Sequence, residues 1–80
     1  MTKSNEPAAK LQYGRIEVAI WKNQGDKRPF YSTTLTRSYK DDDGNWKQSS
    51  SLTGSELLVA AQAYQEAFRT IEALKRSDAA

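Results

Sequence analysis

Eighty residues, 38% hydrophobic and 28% charged, are enough for one small domain with a thin core. The chain has no Cys and no His. That excludes disulfides, removes the usual ligands of zinc, and leaves no Ser-His or Cys-His nucleophile pair. The formal net charge is only +2, yet eight Lys or Arg and five Asp or Glu fall between Lys10 and Lys47, three of those acids being the run Asp41, Asp42, Asp43.

Residues 1–10, "MTKSNEPAAK", read as a mobile polar leader without the apolar stretch of a signal peptide. The longest aliphatic run, "LLVAA" at 57–61, is far too short to span a bilayer. The expectation is a soluble cytoplasmic protein without a membrane partner, nucleoid-associated if bacterial. Residues 11–76 form the expected domain, and 77–80 a short tail.

In "GRIEVAIWKN", Ile16, Val18 and Ile20 alternate with Arg15, Glu17, Ala19 and Trp21, the period of a strand with one buried face. Leu11 to Tyr13, bent at Gly14, either extend this strand or form a short one of their own. Gly25 and Pro29 punctuate "QGDKRP", and "FYSTTLTRSYK" is a second strand rich in aromatic and β-branched residues. Its parity conflicts: Arg37 and Tyr39 share a face with Leu35 unless a bulge intervenes. "DDDGN" is a turn, and "WKQSSSL" a weaker, polar strand. The Asp run does not suit a calcium loop, because position twelve counted from Asp41 is Leu52 instead of Glu. Its acids are expected at the tip of a two-stranded arm, where they favour solubility and discourage edge pairing.

At Thr53 the period changes. Thr53 and Glu56 fit a capping box, and Leu57, Ala61, Tyr64, Phe68 and Ile71 form one stripe of a helix reaching about Lys75. Packing on the sheet is the expected role of Leu57, Tyr64, Phe68 and Ile71. A second stripe, Ala60, Ala63 and Ala67 with Leu74, is small enough for another helix to approach. A homodimer is therefore expected, with Ala60, Ala63, Tyr64, Ala67, Phe68, Ile71 and Leu74 at its interface. Strands followed by one long helix make the fold α+β, a curved antiparallel sheet of three to four strands with a C-terminal amphipathic helix.

Trp21, Lys22, Lys27, Arg28, Phe30, Tyr31, Arg37, Tyr39, Lys40, Trp46 and Lys47 interleave rings with cations. Unpaired bases stack on the former and phosphates meet the latter, although small β proteins also use such rings as core. The order "LQYGRIEVAI", "LTRSYKDDDGNWK", then "SL" and an amphipathic helix resembles the positive-cofactor-four family of transcriptional coactivators and its short prokaryotic and phage relatives. Gln12-Tyr13-Gly14-Arg15, Arg37 with Tyr39, and Asp43-Gly44 before Lys47 carry the likeness, which spans Leu11 to Ile71.

The resemblance implies a dimer that binds single-stranded DNA through its sheet. It implies that Arg37 and Lys47 contact the DNA backbone and that Lys27 and Arg28 occupy a basic loop. Where the family has a stacking aromatic stands Lys40, with Trp46 across the turn as a substitute. The expected nucleic-acid-binding set is Lys22, Lys27, Arg28, Arg37, Tyr39, Lys40, Trp46 and Lys47. The expected partner is single-stranded DNA, RNA remaining open, bound without strong sequence preference in transcription, replication, recombination or repair. No cofactor, metal or catalytic residue is expected. The alternative is a dimeric protein-interaction scaffold, and a carboxylate enzyme would need two of Glu17, Asp26 and Asp41–Asp43 to converge in a pocket.

Overall fold

In the computed structural model, which describes residues 6–79, four strands and one helix follow each other along the chain. They are β1 (Ala9–Tyr13), β2 (Ile16–Gln24), β3 (Pro29–Lys40), β4 (Trp46–Ser49) and α1 (Glu56–Ala79). The strands form an antiparallel meander in the order β1-β2-β3-β4. The segment from Leu11 is thus a strand of its own, begun two residues earlier at Ala9, inside the expected leader. The helix likewise runs through the expected tail. The leader's first five residues and Ala80 lie outside the described residues. Among the described residues, no helix is long and apolar enough to cross a membrane.

Local chemistry sets each turn. Gly25 donates its amide to the Arg28 carbonyl at 3.2 Å, and a Cβ there would lie 2.5 Å from that oxygen, so the β2–β3 hairpin requires glycine. In the β3–β4 turn Asp41 accepts through Oδ1 from the amides of Asp43 and Asn45, at 3.0 and 2.9 Å, and Gly44 supplies φ +82°. Asp41 therefore belongs to the turn itself, while Asp42 and Asp43 are exposed.

At the start of α1 the Thr53 amide donates to Glu56 Oε1 at 2.9 Å, and the Thr53 hydroxyl donates to the same oxygen at 3.0 Å. This is half of the expected capping box. Glu56 reaches back, but its own amide bonds to the Thr53 carbonyl at 2.8 Å instead of to the hydroxyl.

The β2–β3 ladder is regular from Ile16↔Arg37 to Gln24↔Pro29. Opposed residues of antiparallel strands share a face, so Leu11, Val18, Ile20, Thr33, Leu35 and Arg37 point one way. This is the face α1 covers. Val18 and Ile20 form the core with Ala63 and Ala67, and Ala9, Leu11, Tyr13, Tyr31, Leu35, Ile71 and Leu74 pack around it.

The helix therefore meets the sheet through the alanines that were expected to face a second helix, together with Ile71, which was expected there. Ala60, Ala63 and Ala67 are 4%, 0% and 2% exposed, and so are not available to a second helix. Ile71 and Leu74 also pack against this chain's own core. Leu57, Tyr64 and Phe68, expected against the sheet, are exposed at 59%, 46% and 65%. The physical reason is volume. Methyl side chains let the helix backbone settle close onto Val18 and Ile20, a contact that rings at those positions would hold apart.

Candidate nucleic-acid interface

The other face of the sheet carries no helix. Alternation from the buried residues assigns to it Lys10 and Gln12 of β1 and Glu17, Ala19, Trp21 and Asn23 of β2. It also takes Phe30, Ser32, Thr34, Thr36, Ser38 and Lys40 of β3, with Trp46 and Gln48 of β4.

Near β4 the cations gather round one ring. Lys40 opposes Trp46 across the β3–β4 pair, and its Nζ lies 5.5 Å from the ring centroid. The guanidinium of Arg15, from the β1–β2 turn, lies 5.5 Å from the same centroid. The turn is held over β3 because the Arg15 carbonyl accepts from the Ser38 amide at 2.9 Å. Both distances fall within the range of cation–π attraction, and Trp46 is 59% exposed.

At the opposite end Trp21 donates its indole N–H to Thr34 Oγ1 at 2.9 Å, and Asn23 donates to Ser32 Oγ at 2.9 Å. Phe30 stands exposed beside them. Between the two ends runs a shallow depression of about 230 Å³ lined by Lys10, Glu17, Ala19, Trp21, Thr34, Thr36 and Gln48, with Pro7 at its rim. Trp21 opposes Ser32, eight residues along β3 from Lys40, so the two indoles are separated by roughly 27 Å of strand. Lys10 is held 3.5 Å from Glu17, and Arg15, whose charge also reaches the Glu56 carboxylate, lies with Lys40 against the Trp46 ring.

Of the eight residues expected to bind nucleic acid, only Lys40 and Trp46 come together on this face. Arg37 lies on the helix side, donating Nε to the Ser51 carbonyl at 2.9 Å, 3.4 Å from Glu56 Oε1. There it anchors the loop that starts the helix, on the face opposite Lys40 and Trp46. Tyr39 is on that side too, half-buried with the Arg37 guanidinium 5.4 Å from its ring centre, as is Lys47, 3.8 Å from Asp41.

Lys22 also points to the helix side, donating to Asp78 Oδ1 at 3.1 Å, and the Tyr31 hydroxyl donates to the other oxygen of the same carboxylate. These two bonds, that of Tyr31 above all, hold the Asp78 carboxyl below the usual range and push Lys22 and Tyr31 upward. Lys27 and Arg28 are exposed in the β2–β3 hairpin loop, where Arg28 borders a depression on the helix side with Tyr31, Lys75 and Asp78.

Arg15, Trp21, Phe30 and Lys10 were not in the expected set and share the uncovered face. The signal for Trp21 was its odd parity against buried Ile16, Val18 and Ile20. Arg15 sits in a turn, and only the three-dimensional closure of that turn brings it to Trp46. Comparisons with protein-family models, with curated proteins and with solved structures find no match for this chain.

Proposed function

We propose that this chain binds single-stranded DNA, with little sequence preference, on the uncovered face of its sheet. The observation that carries the reading is Trp46, exposed between Arg15 and Lys40, at one end of a helix-free face whose other end holds Trp21 and Phe30. Stacking on an indole is open to any base, and each cation beside it is placed to meet a phosphate of the same strand. In the free protein both cations rest against the ring. An arriving base takes up one ring face, and the displaced side chain turns to the backbone. The resemblance to the positive-cofactor-four family supports the same ligand, and transcription, replication, recombination or repair would supply it.

The test is a tryptophan fluorescence titration with an unstructured oligonucleotide and with the matching duplex, at several salt concentrations. The single strand should quench emission, the duplex much less, and affinity should fall steeply with salt. Trp46→Ala should weaken binding about tenfold or more, the scale of one lost stacking contact. Arg15→Gln with Lys40→Gln should flatten the log–log salt dependence by roughly 0.7 per phosphate contact removed. Arg37→Gln should leave that slope unchanged. Absence of any response to the single strand would overturn the reading and favour the protein-interaction scaffold.

A further inference from the structure

The depression between the two indoles owes its shape to one small side chain. Ala19 is flanked along β2 by Glu17 and Trp21, which point the same way, and is opposed by Lys10 of β1 and Thr34 of β3. All four neighbours are larger, so about 230 Å³ stays open above the alanine methyl, room for a single nucleobase. Trp21 walls one side, its ring fixed by the bond from its N–H to Thr34 Oγ1 at 2.9 Å.

Glu17 is out of place on a surface that meets phosphates. Among the described strand residues of the uncovered face it is the one carboxylate, and its charge repels the backbone of any nucleic acid. An exposed pair with Lys10 adds little stability that would account for it. The pair is also loose. Lys10 Nζ and Glu17 Oε2 are 3.5 Å apart, against about 2.8 Å for a closed charge-assisted hydrogen bond, so both groups are able to turn to a third.

We propose that the depression is a seat for guanine. One base of the bound strand lies over Ala19 against Trp21, donates its N1–H and N2–H to the two oxygens of Glu17, and accepts at O6 from Lys10. This assignment rests on the single-stranded DNA reading and adds to it the identity of one base.

The pattern of donors and acceptors makes the choice. Lys10 and Glu17 offer, in order, a donor and two acceptors, and the Watson–Crick edge of guanine is an acceptor followed by two donors. Thymine has one donor between two carbonyls, which would face the carboxylate. Adenine and cytosine each set an acceptor beside their one amino group. Unstacked bases of single strands are read on this edge, and a bidentate contact to a carboxylate is among the stronger hydrogen-bonded pairs. Thr36 and Gln48 close the far rim with neutral polar groups, adding no charge that would oppose the base. The preference is confined to one nucleotide, so binding of mixed sequence stays broad.

The test is an anisotropy titration of the full chain with a labelled all-thymine oligonucleotide and with the same strand carrying one central guanine. The guanine strand should bind about five- to tenfold more tightly, the lower part of the range for one bidentate base contact. A central adenine, which also stacks but offers a single donor, should gain less. Hypoxanthine, guanine without its N2 amino group, should lose most of the gain. Glu17→Gln replaces one acceptor oxygen by a donor and should bring the guanine and thymine strands to equal affinity, with circular dichroism showing the variant folded. Equal affinity of the unmodified chain for these two strands overturns the guanine seat and leaves the single-strand reading standing. An adenine gain as large as that of guanine overturns it too, by reducing the effect to stacking. A guanine preference that survives in Glu17→Gln overturns its assignment to this depression. If neither strand binds, both readings fall.

Discussion

Asp78 is a carboxylate in the last turn of a helix, where the macrodipole disfavours negative charge. Lys22 from β2 and Tyr31 from β3 offset that placement, and Asp78 in turn fastens the end of α1 to the hairpin. Glu56 does the corresponding work at the other end. The Thr53 amide first, then the Thr53 hydroxyl and the Arg37 charge, hold its carboxyl below the usual range. Both depressed carboxyls contribute stability that is present above the ordinary carboxylate pKa of about 4 and is lost as pH falls through their folded values. The raised Lys22 and Tyr31 contribute below about pH 10 and lose that contribution as pH rises past their own folded values. No histidine titrates between these limits. Urea midpoints should therefore be flat around neutrality and decline on both sides. Asp78→Asn should lower the neutral midpoint and make both declines shallower; a variant with an unchanged profile would show that the latch does not hold the helix. The two Asp78 contacts join residues 47 and 56 apart in sequence, which is why no local pattern announced them. Arg37 is the more instructive case. Its parity with Leu35 placed it correctly on the helix side, while the family resemblance pointed to a phosphate. The regular β2–β3 ladder decides for parity.

Among the elements, β2 was legible because Ile16, Val18 and Ile20 alternate cleanly, and the helix because a capping signal precedes a 3.6-residue period. The faces of α1 were not. Two apolar stripes were visible, and hydrophobicity ranks Leu57, Tyr64 and Phe68 above three alanines. Burial follows fit instead. The sheet beneath is already filled by Val18 and Ile20, and only a smooth helix face comes close enough to exclude water. Ala63 is the sharpest probe of that fit, being fully buried. Ala63→Leu should destabilise the fold by about 1–3 kcal/mol through overpacking, measured by urea denaturation. The exposed Ala61→Leu should change stability by no more than about 0.5 kcal/mol in conditions where the chain is monomeric. Equal effects at both positions would contradict the assigned helix face.

Across the whole molecule, with extents of 47 × 31 × 17 Å, the packing is uneven. α1 lies chiefly over β1 and β2, while β4, at the margin of the sheet, has β3 as its hydrogen-bonded neighbour and is met by Arg15 from the β1–β2 turn. The β3–β4 pairing is four residues long, from Arg37↔Ser49 to Lys40↔Trp46. Opening energies within a fold follow local burial, so amides of Lys47 to Ser49 should exchange with deuterium well before those of Val18 to Trp21. Uniform protection across the sheet would contradict this gradient. The strand that carries Trp46 is thus the most easily detached part of the sheet. Any ligand that grips the indole must also arrest the fraying of this margin, so occupancy should be recorded as slowed isotope uptake in a segment that loses it first when empty.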